Sequence, residues 1–557
     1  MNNLKSIHFF FWLFLISGLL ANYTWFYFSG DTNALWMTPF LTAAVSAIVI
    51  LPLNCLSRRT YIRHIYVGIM LLLFVSAIAT DWFLLLNFSK IFNQDIVDIL
   101  AETNKNESYE FIATYFSFSK ILLYIAALSI LTIACCFLSS LLARYKWINR
   151  IGYTMAAIGA CLWGICAYNF ILYRNGLSIP QCTTVTRGLY SVYILHLETK
   201  QIETVEKECR NFIEKNNTLS ENSNLIICLV VGESHSAFHT DVYGYDKCTF
   251  PMLGKISRDE NYGKIFWFTD AVSNSDHTHA AVKSIFSIGE TSGTESLLLF
   301  PACFKALGYK TMLFDNQYFV NSGVSFLSNK NLSDLLYDFR NDKAMTDEEL
   351  AAAPAISTDC NQLIVLHLMG SHYTYESRYP HERFSVFSPD DYSPSMKDEY
   401  RSISAHYDNS LLYTDFVLSS LIDRLKDENA AVIYISDHGE EIYEQGDYMG
   451  HGNAASTPVL DYQIRIPMFI WTSAGYASRF PEMSSRITAG TNKPCMSNDI
   501  GHVLLDLAHE KADFYDCTRS VVNDSYEIPK RIVLHSIDFD SAKKYSLNAT
   551  ASEQPVM

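Results

Sequence analysis

Ala430-Ala431-Val432-Ile433-Tyr434-Ile435-Ser436-Asp437-His438-Gly439-Glu440 is the stretch on which the reading of this chain turns. Its first six residues form an apolar run with the character of a buried strand. A carboxylate and an imidazole then leave the C-terminal end side by side. In open α/β sheets that edge is where ligands bind, and an Asp oxygen with a His nitrogen is a normal zinc ligand pair. An Asp-His step after a strand is also a common turn, so the reading depends on what else converges on it.

The 557 residues allow more than one domain, and 49% of them are hydrophobic. The mean hydropathy of +0.08 suits a divided chain, with an apolar N-terminal part and an ordinary globular remainder. A net charge of −16 argues against nucleic acid as a partner.

Five apolar stretches occupy about residues 6–28, 35–55, 65–88, 119–142 and 150–172. Each is close to the ~20 residues needed to cross a bilayer. The first could instead be a signal peptide, but its apolar run is long and no small-residue cleavage site follows, which favours an uncleaved anchor. Lys5, Arg58, Arg59, Arg63, Arg144, Lys146 and Arg150 fall on one side of the alternation, whereas the first outer loop carries only Asp31. The positive-inside rule then places the N-terminus in the cytoplasm and everything after residue 173 outside. The loop from Lys90 to Phe111 has apolar residues at helical spacing and reads as an interfacial helix. It either closes the bundle by packing or walls a lipid-headgroup site.

The expected domains are a transmembrane part at 1–173, a helical linker at 174–222, an outer domain at 223–540 and a polar tail at 541–557. In the outer domain, Leu225–Val231, Lys310–Phe314, Gln362–Leu368, Ala430–Ile435 and Pro467–Trp471 read as strands, and residues 297–308 and 411–426 as helices. Such alternation implies a largely parallel sheet covered on both faces.

Several segments offer chemistry at the same sheet edge. Val230-Val231-Gly232-Glu233-Ser234 ends the first strand and supplies a third hard ligand beside Asp437 and His438. Ser273-Asn274-Ser275-Asp276-His277-Thr278-His279 enters a helical pattern. Thr278 there is either an ordinary hydroxyl at a helix start or a nucleophile activated by a metal. His372 in His367-Leu368-Met369-Gly370-Ser371-His372, and His451 in a Gly-flanked loop, offer imidazoles for a second metal or a phosphate. His277 and His279 could join them, their side being open. Lys283 and Asn316 are further anion contacts.

These segments resemble the phosphoethanolamine transferases of the alkaline phosphatase superfamily, which include lipid A modifiers and the mobile colistin-resistance enzymes. The resemblance covers nearly the whole chain. It rests on Val231-Gly232-Glu233-Ser234, Tyr243-Gly244-Tyr245, Thr278 before Phe286-Ser287, Asp315-Asn316, the His367–His372 stretch, Tyr407-Asp408-Asn409-Ser410, Ser436–Glu440 and His451-Gly452. It implies a sulfatase-like α/β catalytic domain in the periplasm of a bacterium, anchored to the inner membrane by a multi-pass bundle. It further implies that Glu233, Thr278, Asp437 and His438 hold one Zn2+, with Thr278 as nucleophile. His372 and His451 would bind a second Zn2+ or the phosphoryl group. Thr103 and Glu107 match headgroup-contacting positions, although the asparagine expected four residues before Thr103 is Ile99. The cysteines that often flank the nucleophile are Asn274 and Ser284 here.

The expected activity is transfer of phosphoethanolamine from phosphatidylethanolamine to lipid A or the lipopolysaccharide core, a polymyxin-resistance type of chemistry, by a monomer among membrane lipids. The rival enzyme is a glycerolphosphate transferase of the lipoteichoic-acid-synthase type, against which His372 and His451 speak. A sulfatase activity is disfavoured because the nucleophile stretch has no cysteine to become formylglycine. The rival of another class is a catalytically inactive, membrane-anchored binding protein. Of the 13 cysteines, eight lie outside the apolar spans, and Cys495 with Cys517 is the bridge expected in an oxidising compartment.

Overall fold

The computed structural model describes residues 3–542 apart from 30–34, 56–59, 89–90, 93–95, 98–99, 101–107, 110, 113–114, 117, 174–183, 217–218, 222–223, 291–296, 318–326, 328, 342, 344, 358, 453–458 and 535. The chain divides into two compact units, Met1–Glu198 and Thr199–Met557. The division falls inside a helix, Thr184–Lys215.

The first unit holds long apolar helices, α1 (Asn3–Ser29), α2 (Thr38–Cys55), α3 (Thr60–Phe88), α4 (Phe118–Leu142) and α5 (Lys146–Tyr173). They coincide with the five apolar stretches. Among the described residues, three helices are long and apolar enough to cross a membrane, over Ser6–Thr24, Tyr61–Asn87 and Ser119–Leu142. Leu122, Leu123, Ile130, Ile133 and Phe137 of α4 are exposed, as expected of a face turned to lipid rather than water. The beginning of α6 (Thr184–Lys215) is tied to this unit by a buried ion pair. Arg187 Nη2 meets Asp81 Oδ2 at 2.5 Å, and its Nη1 donates to Asn22 Oδ1 at 3.0 Å. Buried charges persist only when paired in this way.

The second unit is built on a seven-stranded sheet. Its strands are β1 (Ile226–Gly232), β2 (Lys264–Phe268), β3 (Lys310–Asp315), β4 (Phe339–Arg340), β5 (Gln362–His367), β6 (Ala430–Ser436) and β7 (Met468–Thr472), in the order β2-β7-β6-β1-β5-β3-β4. Adjacent pairs from β6 through β4 are parallel. β7 is antiparallel to both β6 and β2. Met468 pairs with Ile435, so β7 starts at the edge where β6 ends and must run back. The sheet is therefore mixed, with one reversed strand. β2 and β4 complete its two margins and were not expected from the pattern.

Alternate residues of β1 enter two separate cores. Ile227, Leu229 and Val231 join one, and Ile226, Cys228 and Val230 the other. A strand buried on both faces reads as a continuous apolar run for this reason. Helix α7 (Thr278–Phe286) packs Val282, Ile285 and Phe286 into the first core. Helix α8 (Asp398–Leu425) packs Tyr407, Leu411 and Leu418 into the second. α8 begins well before residue 411, since Asp398 and Glu399 in its first turn suit the positive end of the helix dipole. The stretch expected as a helix over 297–308 opens as a short strand, Leu297–Leu299, and becomes helical only at Phe300, with Pro301 in the first turn. The expected Cys495–Cys517 bridge is absent. Both thiols are free: Cys495 is buried in the first core, while Cys517 opens a half-exposed turn capped by the Asp516 side chain.

Candidate active site

Parallel register sets the site. Gly232 pairs with Ser436, Val231 with His367 and His367 with Asp315, so four strands end along one edge. Glu233 and Asp437 therefore leave neighbouring strands together, and the Asp437 N–H still donates to Gly232 O at 3.1 Å. Ser234 turns sharply with φ 54° and donates its N–H to Asp437 Oδ1 at 3.0 Å. The His438 N–H donates to the same oxygen at 2.7 Å.

The second carboxylate oxygen is treated differently. Among the described residues, Asp437 Oδ2 is buried without a hydrogen-bond partner, although His438 Nε2 lies 3.2 Å away. His438 Nδ1 donates to Gly439 O at 2.8 Å, because a carbonyl only accepts. That leaves Nε2 facing Thr278 Oγ1 at 3.2 Å and Glu233 Oε1 at 3.6 Å. Thr278 Oγ1 is also 3.2 Å from Glu233 Oε2. Thr278 opens α7 after His277, whose backbone is extended, so its hydroxyl sits where N–H groups of the first turn point outward.

Glu233, Asp437 and His438 offer donor atoms within 4.8 Å of one another, all buried. Two buried carboxylates beside an imidazole lone pair repel unless a cation or protons sit among them. The orphaned Asp437 oxygen and the hard N/O donor set fit a divalent ion of the zinc type. Without one, a proton takes its place: burial alone would lower His438, but Asp437, Glu233 and Glu440 outweigh it and hold the imidazole at about 9. His372 goes the other way. Burial lowers it to about 4, and Glu233, Arg378, His451 and His438 are the charges that act on it. Burial and then His438 push His451 down as well. Burial raises Glu440 to about 8, opposed first by His438 and then by the Tyr375 hydrogen bond.

The His451 ring lies 4.1 Å from that of His438. Glu440 Oε2 accepts from His451 Nδ1 at 2.7 Å, and Glu440 Oε1 accepts from the Tyr375 hydroxyl at 2.5 Å. His277 also faces this group, its ring 6.2 Å from that of His451. Its Nδ1 lies 2.6 Å from Asp276 Oδ1.

Two supporting residues carry no motif of their own. Gln317 Nε2 donates to Glu233 Oε2 and to Leu368 O, both at 2.8 Å, and so fixes the carboxylate. Asp347 accepts from the N–H groups of Met369 and Gly370 at 2.9 and 2.8 Å, shaping the turn before His372. Asn316, read as an anion contact, instead donates to Asp347 at 2.7 Å and accepts from the Met345 N–H at 3.1 Å. Its amide thus holds Asp347 and the segment leading to it. Lys283 directs its ammonium to Gln201, 3.0 Å away. Thr103 and Glu107 lie outside the described residues.

Comparison with known proteins gives this arrangement its class. The chain belongs to the sulfatase family, whose sequence model matches residues 226–510. It is similar to the phosphoethanolamine transferase EptC of Escherichia coli strain K12, 23% identical over 512 residues and covering 86% of each chain. The solved C-terminal periplasmic domain of Escherichia coli EptC, in complex with zinc, is 26% identical with a TM-score of 0.50, covering 59% of this chain and 97% of that one. The integral membrane protein lipooligosaccharide phosphoethanolamine transferase A of Neisseria meningitidis shares the fold across 93% of this chain and 98% of its own, with a TM-score of 0.58 at 17% identity.

Proposed function

We infer that the protein is an enzyme that transfers phosphoethanolamine from phosphatidylethanolamine to a cell-envelope glycolipid, a lipid A phosphate or a lipopolysaccharide core sugar, through a covalent intermediate on Thr278. The observation that carries the reading is a hydroxyl converging with two carboxylates and an imidazole at one sheet edge. Similarity to a phosphoethanolamine transferase over most of both chains supports the choice of group transferred. Five crossings of the bacterial inner membrane, with the catalytic unit in the periplasm, agree with the apolar helices and the placement of Lys and Arg.

Glu233, Thr278, Asp437 and His438 would hold a zinc ion. Bound there, zinc supplies Lewis acidity, lowering the pKa of the threonine hydroxyl and screening the phosphate charge. Thr278 Oγ attacks phosphorus, diacylglycerol leaves carrying a proton, and phosphoethanolamine remains on the threonine. The acceptor oxygen then attacks the same phosphorus in line and frees Thr278. His372 and His451 would bind the phosphoryl oxygens or a second ion, and the family resemblance assigns Thr103 and Glu107 to the donor headgroup. The membrane helices hold a lipid-borne donor near the site, which raises its effective concentration.

The test is Thr278→Ala. Intact-mass spectrometry after incubation with phosphatidylethanolamine micelles should show the adduct on the wild type and none on the variant. Glycolipid modification should fall on the order of 10³-fold or more. Transfer near the wild-type rate in the variant would overturn the nucleophile assignment.

A further inference from the structure

We propose that the first half of α6 lies against the lipid of the outer leaflet, with Leu189, Val192, Tyr193 and Leu197 turned into it, and that the bilayer surface crosses the helix between Leu197 and Lys200. The inference rests on the placement of the first unit in a membrane and not on the transfer chemistry.

Over residues 187–197 the helix is inside out. Its inward residues are polar: Arg187 and Ser191, one turn apart, are both buried. Its outward residues are apolar. Leu189 is 68% exposed, Val192 62%, Tyr193 48% and Leu197 38%, and their spacing puts them on one face. His196 is exposed on that face too, with the apolar body and polar tip that suit a headgroup boundary. From Lys200 onward the polarity is the usual one. Ile202, Val205, Cys209 and Phe212 are buried in an apolar core, while Lys200, Glu203, Lys207, Arg210 and Glu214 are exposed. At 3.6 residues per turn the exposed sets of both halves fall on the same side of the helix. α6 is continuous from Thr184 to Lys215, so it is the medium along that side that changes.

The start of α6 is tied at the depth of an apolar span. Arg187 pairs with Asp81, which lies six residues before the end of the span Tyr61–Asn87, about 9 Å along its axis. Arg187 Nε also donates to Phe92 O at 2.5 Å. A charge at that depth turns to the bundle interior and pairs there, which explains why the polar side of this helix is the inner one. The outer side then meets acyl chains and headgroups, where Leu and Val are favoured and Tyr is enriched. Facing water, the same apolar stripe would be an unfavourable exposed patch. Facing lipid, Lys200, Glu203 and Lys207 would each carry a large desolvation cost. Leu197 and Lys200 stand about 4.5 Å apart along the axis, and the boundary falls between them.

The experiment places the photoreactive residue p-benzoylphenylalanine singly at positions 189, 193 and 197, and at 203, 207 and 211, in the full-length protein. Each variant is reconstituted into vesicles of phosphatidylethanolamine and phosphatidylglycerol, irradiated and read by intact mass. Size-exclusion chromatography in detergent checks folding, and position 192 replaces any upstream site whose variant does not fold. Lipid-sized increments are expected at the three upstream positions and none above background at the three downstream ones. Position 133, on the exposed face of α4, reports on membrane placement itself. Label at 133 with none at 189, 193 and 197 overturns the proposal, as does a cross-linked dimer at those positions in place of lipid. Lipid label continuing through 203, 207 and 211 overturns the boundary. No label at 133 refutes the membrane placement and this proposal with it. Failure of the transfer chemistry would show separately, as a correctly labelled protein that forms no adduct on Thr278.

Discussion

At the scale of single residues, the site depends on how each polar atom is partnered. Asp437 uses one oxygen for two backbone N–H groups and, among the described residues, has no hydrogen-bond partner for the other, which holds the carboxylate rigid while leaving an oxygen available to a cation. Glu233 depends on Gln317 for the same rigidity. Gln317→Leu keeps the volume but removes the donor. Zinc affinity should drop by about 10- to 100-fold, with a stability loss of about 1–3 kcal/mol from the unpartnered Leu368 carbonyl. Competition titration and chemical denaturation measure the two effects separately. Neither Gln317 nor Asp347 could be picked from the sequence, because each acts on a segment far away along the chain and leaves no local pattern.

At the scale of elements, turns carry the candidate ligands and tolerate little. A Cβ on Gly439 would lie 2.2 Å from the Tyr462 carbonyl oxygen, a backbone atom that cannot step aside cheaply. Gly439→Ala should shift the Asp437-His438 turn at a cost of about 1–3 kcal/mol and abolish high-affinity zinc binding while the sheet persists, as circular dichroism and metal analysis would register. A second device joins α8 to the loop that leads to His451. His239 lies between Asp408 at 2.7 Å and Glu444 at 2.6 Å. Burial alone would lower His239, but Asp408 and then Glu444 outweigh it and raise it to about 10. A group raised above its unfolded value of about 6.5 stabilises fully below that pH and loses its contribution as pH rises through 10. Wild-type stability should therefore fall between about pH 6.5 and 10, by up to ~1.4 kcal/mol per unit from this group. His239→Gln should lack that part of the slope in denaturation curves taken across the range.

At the scale of the whole molecule, the two units answer different needs. The outer unit has its own cores on both faces of its sheet, so a fragment from Thr199 onward should fold and bind zinc with wild-type affinity. Removed from the bilayer, it should transfer from phosphatidylethanolamine in vesicles at least about 100-fold more slowly than the full chain, since proximity of a membrane-borne donor is lost. Vesicle assays with both proteins at equal concentration test this.

Local pattern determined a great deal. Apolar runs fixed five of the seven sheet strands and the positions of the long apolar helices, because burial on both faces, or in lipid, demands unbroken hydrophobic sequence. Residue type and strand-end position named Glu233, Asp437 and His438 as candidates. The direction of β7, the short margin strand β4 and the use of Asn316 to hold Asp347 were decided only by tertiary structure. So were the side on which His277 falls and the partners of His451. Each depends on which distant backbone or side chain arrives within hydrogen-bonding distance, and that is fixed by the packed sheet rather than by any neighbouring residue.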